Sequence, residues 1–318
     1  MLTRMDSFVT SPSKTPIWPP RLPDWALSGG RDVTDAAFAA GIALKSLHDL
    51  VRAEPAWVGC WRSRQALKCA AVAVRLSVRK EEENALRDAI LLTAPGDDPG
   101  PAGRLVLAFQ KLAGRKRTIG SKILEDLTDL MGLRREGMSE IADRFDDALQ
   151  SPRAVPFAAA TLVANIWAIR PDAEILAWWL ADRLLAEKLG WHFGVPLLMA
   201  ERFGAAFRTP GGRGRLRPGE AGFERSVCLA LADVAGAALR SAGDIGRHAE
   251  QLLAVAPKVR TKGGDAVIKK LLDEDAVSAS APGANLSRWA STRLFERLEG
   301  AGAVRELSGR ASFRIYGL

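Results

Sequence analysis

Hydroxyl and basic side chains recur at helical spacing in one segment near the end of the sequence, residues 287–299. At about 100° per residue, the apolar side chains of this segment fall on one face of a helix: Ala290, Leu294 and Leu298. Four polar residues are then expected to face outward: Ser287, Arg288, Ser291 and Thr292. Arginine pairs with guanine edges and with phosphates, and hydroxyls hydrogen-bond to the sugar–phosphate backbone. The segment therefore predicts a helix that contacts duplex DNA, with Arg288 as its best single candidate.

Further basic side chains lie on both sides of this helix. Two short alternating runs, 304–306 and 313–315, flank a turn at 308–310 and predict a β-hairpin with Arg310 at its tip. An arginine at such a tip can reach an adjacent groove or phosphate. Helices followed by a terminal hairpin are the layout of a winged helix. Three basic residues upstream are candidate phosphate contacts: Lys258, Arg260 and Lys262.

Two features of the same region weaken a DNA-binding interpretation. Glu296 and Glu299 share the expected outward face with Arg288, and carboxylates there are repelled by phosphates. Pro282 and Gly283 allow at most a short turn where a standard helix-turn-helix module has its second helix. The alternative is a protein-interaction or scaffold protein whose winged helix packs internally or mediates dimerisation. The sequence leaves both functions open and favours DNA as the partner.

A second arginine-rich segment lies in the loop 208–220, whose prolines and glycines exclude a regular helix. Within GGRGRLRPG, Arg213 and Arg215 form an Arg-Gly-Arg core similar to that of an AT-hook, which lies in the minor groove. The proline that directly follows such a core is missing here. A flexible, arginine-rich surface loop is therefore the favoured interpretation, and a minor-groove contact by these two arginines is the alternative.

The sequence contains no recognised catalytic motif. It has no phosphate-binding loop, no HExxH, no GxSxG and no paired CxxC, and His48, His192 and His248 lie in separate segments. Asp97 and Asp98 could hold a cation or share a proton, but a polar loop between helices is the favoured explanation. Trp178 and Trp179 could line a pocket, but at these helical positions a place in the core or in an interface is favoured. We therefore predict a non-enzymatic protein without a cofactor or metal ion.

The elements that position these residues are expected to be helical. The 318 residues are 47% hydrophobic and 26% charged, with a single tyrosine, and this composition favours packed helices. The net charge of +8 suits an anionic partner, but arginine enrichment by GC-rich coding DNA is the slightly favoured explanation. Cys60, Cys69 and Cys228 form no disulfide framework, and the apolar stretch Val155–Ile169 is too short for a membrane span. We therefore expect a cytoplasmic protein without a membrane contact.

The predicted fold class is mainly α, in three parts. Residues 1–24 form a proline-rich N-terminal arm, 25–245 an irregular α-helical domain, and 246–318 a winged-helix-like module with a small β-hairpin. Thr34 is the predicted N-cap of the first helix. Further helices are predicted at 57–79, 82–93, 102–113, 121–131, 138–150, 156–169, 172–189, 196–207, 221–242, 245–256, 264–273 and 287–299.

Three stretches carry a resemblance to a known family: PGDDPGPAGR at 95–104, RPDAEILAWWLADRLLAEKLGW at 170–191 and AVRELSGRASFRIYGL at 303–318. They resemble a bacterial family defined only as domain of unknown function 1403. The resemblance implies a bacterial, often plasmid-associated setting and no established activity, so it assigns no site residues. From about Ser287 the tail also resembles the ending of other helix-turn-helix proteins of unknown function, which supports fold more than role.

Overall fold

The structure is a computed structural model that describes residues 22–24, 32–94, 96–114, 119–209, 211–259, 263–280, 286–309 and 313–318. Within these ranges the chain is mainly helical with a small antiparallel sheet at its C-terminal end, as the sequence predicts. Eleven α-helices are described: α1 Val33–Ala53, α2 Val58–Leu76, α3 Glu83–Leu91, α4 Gly100–Ala113, α5 Ser121–Met131, α6 Met138–Gln150, α7 Val155–Ile169, α8 Glu174–Lys188, α9 Phe223–Val255, α10 Gly264–Asp273 and α11 Arg288–Gly300.

The core is built around α9, which packs along α1. α1 begins after Asp32, whose carboxylate accepts a hydrogen bond from the backbone N–H of Asp35 at 2.9 Å. Asp32 is therefore the N-cap, and Thr34, the expected cap, already lies inside the helix. Between α2 and α9, the indole Nε1–H of Trp61 donates to the carbonyl oxygen of Ala238 at 2.9 Å. This bond fixes α2 against the middle of the long helix.

α9 joins two helices that were predicted separately, at 221–242 and 245–256, into one helix of 33 residues. The predicted domain boundary between 245 and 246 falls inside it. Close to that point, Trp57 packs so tightly against Gly246 that a Cβ atom there would lie 3.1 Å from the indole ring. The helical region and the C-terminal region thus share a continuous element.

Length and composition alone allow α9, with the short turn that follows it, to cross a membrane, and it is the one such helix in the described part of the chain. In this fold, 67% of its most apolar window is buried. The core helix of a soluble protein passes the same test, so the finding is weak evidence for a span.

The prediction of a helix at 196–207 is wrong, because this segment forms two short 3-10 turns: Leu198–Glu201 and Ala205–Phe207. The carboxylate of Asp182 in α8, which is fully buried, accepts backbone N–H groups of Leu197 at 2.7 Å and Leu198 at 3.1 Å. These bonds fix the start of the first turn against α8. Burial raises the pKa of Asp182 to about 7, and the two backbone hydrogen bonds limit that rise.

Three short strands form the sheet: β1 Val277–Ser278, β2 Arg305–Glu306 and β3 Ile315–Gly317. Their order is β1–β3–β2 with antiparallel neighbours, and Tyr316 in the central strand pairs with Val277 on one side and Glu306 on the other. The predicted hairpin is therefore present as the pair β2–β3. The sequence analysis did not predict β1.

A buried ion cluster joins the segment before β1 to the helical region. The carboxylate of Asp275 accepts from the guanidinium groups of Arg64 in α2 and Arg87 in α3, the latter at 2.6 Å. Arg64 also donates to the carbonyl oxygen of Leu318 at 3.1 Å. Burial by itself would raise the pKa of Asp275, but the two arginines outweigh it and hold this pKa below its ordinary value. We call these three side chains the Asp275 cluster.

Candidate nucleic-acid interface

α11 begins directly after Ser287, where its sequence predicts the start of a helix, and Ser287 is its N-cap. The Oγ of Ser287 accepts a hydrogen bond from the backbone N–H of Ala290 at 3.2 Å, which satisfies one of the free donors in the first turn. Leu294 and Leu298 are buried, as expected from their spacing, and so is Phe295. The ring of Phe295 stacks on that of Tyr316 in β3, with centroids 4.7 Å apart. The sheet therefore holds α11 by one face.

Ser291 lies on the buried side of α11, which corrects its predicted outward position. Its hydroxyl donates to the carbonyl oxygen of Ala279 at 2.6 Å, and the residue has no exposed surface. At 100° per residue Ser291 is adjacent to Leu294 and Leu298 on the helix surface, and the β1 segment covers this side. Ser291 thus anchors α11 to the chain after β1 and is not available to a surface ligand.

The exposed face of α11 carries two cations and an indole. Arg288 is exposed, Trp289 is 67% exposed, and the guanidinium of Arg293 lies over the Trp289 ring, 4.0 Å from its centroid. Among the described residues, neither arginine has an ion pair with a carboxylate. Thr292 beside them is half-buried, and its hydroxyl donates to the carbonyl oxygen of Arg288 at 2.9 Å. We call Arg288, Trp289 and Arg293 the α11 face.

Trp289 and Arg293 were not among the residues predicted to contact DNA. Their four-residue spacing places the two side chains next to each other on a helix, and Trp289 directly follows Arg288. That pattern, a basic residue beside a cation–aromatic pair, was readable from the sequence. An exposed indole was not, because tryptophan in a helical segment is more often a core residue.

The carboxylates that counted against DNA binding differ in their surroundings. The negative charge of Glu299 helps to raise the pKa of both Arg314 and Tyr316. The guanidinium of Arg314 also lies 3.9 Å from the carboxylate of Glu306. Glu299 therefore belongs to the edge of α11 that adjoins the sheet. Glu296 is exposed one turn after Thr292, beyond the N-terminal half of the helix.

The remaining tail residues are placed as follows. Lys258 is exposed in the 3-10 turn Ala256–Lys258 that follows α9. Arg310 and Lys262 lie outside the described residues, as do Arg260 and the Pro282–Gly283 step. Their predicted contacts stay predictions.

The loop 208–220, predicted as flexible, is closed by backbone pairing between Arg208 and Arg215. Within it, the N–H of Thr209 donates to the carbonyl oxygen of Gly214 at 3.1 Å. Arg213 is exposed at the tip, whereas Arg215 is half-buried with its guanidinium 4.8 Å from the ring centroid of Phe203. The two arginines therefore point to different surroundings, which does not favour their joint insertion into a minor groove.

Other residues considered for chemistry have structural roles here. Asp98 pairs with Arg104 at 2.5 Å and accepts the N–H of Gly100, which together lower its pKa. Trp178 and Trp179 are buried, as predicted. In the described part of the chain, no group of His, Cys, Asp and Glu is arranged to hold a metal ion.

These features define a class: a mainly helical protein whose small C-terminal sheet presents one helix with an exposed basic and aromatic face. The chain belongs to the family described as protein of unknown function DUF1403, whose model matches residues 11–318. This match confirms the resemblance drawn from the three sequence stretches. No curated protein matches the sequence.

Proposed function

We propose that this protein binds duplex DNA through the α11 face and has no enzymatic role. One observation carries the proposal: two arginines without carboxylate partners in the described chain flank an exposed indole on the outer face of a helix. Arginine and aromatic side chains combined in this way suit phosphate oxygens and base edges. The capped N-terminal half of α11, where they lie, is the part of a recognition helix that meets the bases.

The order of elements supports the same proposal. α10, β1, α11, β2 and β3 follow one another in the order of a winged helix whose second helix would fall at 281–285, outside the described residues, and α11 lies directly before the hairpin. In such a module the helix before the hairpin is the natural candidate for the major groove. Lys258 on the neighbouring turn adds a candidate phosphate contact.

Binding to a pool of random-sequence duplexes, measured by fluorescence anisotropy over about 50 to 200 mM salt, tests the proposal. We expect affinity to fall steeply with salt, because cations on the protein displace counterions from DNA. Arg288→Ala should lower the salt slope by about 1 and weaken binding about tenfold if Arg288 contacts a phosphate, because a random-sequence pool reports mainly contacts to the DNA backbone. Because Arg288 is exposed, the Arg288→Ala variant should have the same melting temperature as the wild type.

Arg52→Ala is the matched control, since Arg52 is an exposed arginine of α1. It removes the same charge from a different element. Equal losses in the two variants would show that only net charge matters, and would remove Arg288 from the site. Absence of binding by the wild type at low salt would overturn the proposal as a whole.

A second candidate is that the α11 face contacts another protein or a second copy of this chain. The exposed surface of Trp289 favours it, because tryptophan and arginine are enriched where proteins bind each other. In this case Trp289→Ala should convert a dimer into a monomer in light scattering after size exclusion. A wild type that stays monomeric and still binds DNA would count against this candidate.

A further inference from the structure

Arg75 and Arg215 lie against the ring of Phe203, while Arg202 lies over the ring of Phe207, 5.6 Å from its centroid. The charges of Arg202 and Arg208 act on Arg215, and we call these four residues the arginine cluster: Arg75, Arg202, Arg208 and Arg215. The guanidinium of Arg75 lies 4.1 Å from the ring centroid of Phe203, and that of Arg215 lies 4.8 Å from it. One ring therefore holds two like charges in close proximity by cation–π attraction.

The fold brings these side chains together through three elements. Arg75 lies in the last turn of α2, and Arg202 follows the first 3-10 turn. The backbone pair between Arg208 and Arg215 closes the arginine-rich loop and brings its two ends next to Phe203. Arg215 is fixed further by its bond to the carbonyl oxygen of Gly204 at 3.4 Å.

The charge of the cluster is poorly balanced. Arg202 is 6% exposed and pairs with Glu174, but its Nη1 is buried with no hydrogen-bond partner among the described residues. Glu81, Glu82 and Glu83 line the same surface depression as Arg75; Glu81 is paired with Arg79 at 3.6 Å and Glu83 with Arg87 at 3.5 Å. In the described chain, Glu174 is thus the carboxylate that pairs with a member of the cluster.

The pKa of Arg215 is consistent with this imbalance. Burial lowers its pKa, and the positive charges of Arg202, Arg208 and Arg75 lower it further. A carboxylate beside it would act in the opposite direction. Guanidinium groups that repel one another in this way gain stability from an added anion.

We propose that the arginine cluster binds a phosphate group of an anionic ligand. The planar fork of arginine donates two parallel hydrogen bonds to phosphate oxygens, which makes it suited to this group. Arg75 and Arg208 are exposed and can close on a ligand, whereas Arg202 and Arg215 form the more buried side of the site. The proposal is independent of the α11 face, because it concerns other residues.

Titration calorimetry of the full chain with pyrophosphate tests this proposal. The wild type should bind, and Arg75→Gln and Arg208→Gln should each weaken binding about tenfold, because each removes a charge-assisted hydrogen bond. Both positions are exposed, so the variants should melt like the wild type. Arg52→Gln serves as the matched control and should bind pyrophosphate unchanged.

Duplex DNA is the second arm, because the phosphate could belong to a nucleic-acid backbone. If pyrophosphate is not bound but Arg75→Gln and Arg208→Gln weaken duplex binding more than Arg52→Gln does, the backbone is the source. Unchanged binding of both ligands by both variants would overturn the proposal. Arg288→Ala should weaken binding of the duplex but not of pyrophosphate. A failure of the proposal that the α11 face binds DNA can therefore be distinguished from a failure of the phosphate proposal.

Discussion

Replacement of Asp275 by alanine is expected to lower the free energy of unfolding by about 3–5 kcal/mol. The side chains of Arg64 and Arg87 are only 7% and 10% exposed, and Asp275 is the carboxylate that both contact. Without it, Arg64 stays buried with no carboxylate partner, and Arg87 keeps only its pair with the more exposed Glu83 at 3.5 Å. Urea unfolding with an unchanged m-value measures the loss as a shift of the midpoint.

Two further variants separate an unpaired charge from a lost contact. Asp129→Ala removes an exposed ion pair with Arg135 and should leave the midpoint nearly unchanged. Combining Asp275→Leu with Arg64→Met and Arg87→Met removes the whole cluster, and it should be much less destabilising than Asp275→Ala alone. If the triple variant is at least as unstable, uncompensated charge is not the cause.

A second large effect is expected at Asp182 and depends on pH. Its pKa is about 7 in the folded protein and near 3.9 in an unfolded chain, so the folded state holds the proton more tightly between these values. Stability from this group is therefore greatest below about pH 4 and is lost as pH rises towards 7, by roughly 4 kcal/mol in total. Above that range its contribution is constant.

Asp182→Asn separates the contribution of Asp182 to the pH dependence of stability from the contributions of other titrating groups. Its amide keeps one acceptor oxygen for the N–H groups of Leu197 and Leu198 and turns an NH2 donor towards them in place of the other oxygen, so the variant should be less stable than the wild type. The gap between the two proteins should be largest near pH 4 and should shrink towards pH 7, because only the wild type titrates here. A gap that stays constant across this range would show that the pKa of Asp182 is not raised.

The helical fold was predictable because its signals are local. Apolar periodicity predicts α11, and both the start of this helix and its inward residues, Leu294 and Leu298, agree with the prediction. The 3-10 turns near residue 200 were not predictable, because they depend on a carboxylate in α8, 15 residues away from Leu197. The strand β1 was missed for a similar reason, since two residues carry no detectable period and gain their partner from β3.

The candidate site was predictable only in part. Helical winding placed Arg288 outward but also placed Ser291 there, because a helical wheel does not show which neighbour covers its edge. The carbonyl oxygen of Ala279 decides that position, and it comes from the chain after β1. The arginine cluster joins residues 75 and 215, so no local pattern could bring them together.

The continuity of α9 limits how this chain can change in length. Trp61 bonds to Ala238 near its middle, and the side-chain amide of Gln251 near its end donates to the carbonyl oxygen of Ala301, just after α11. One residue inserted between Ala238 and Gln251 would rotate the second contact by about 100° and advance it by about 1.5 Å. Insertions and deletions are therefore expected to accumulate in the loops, while the number of residues between Ala238 and Gln251 in α9 stays the same.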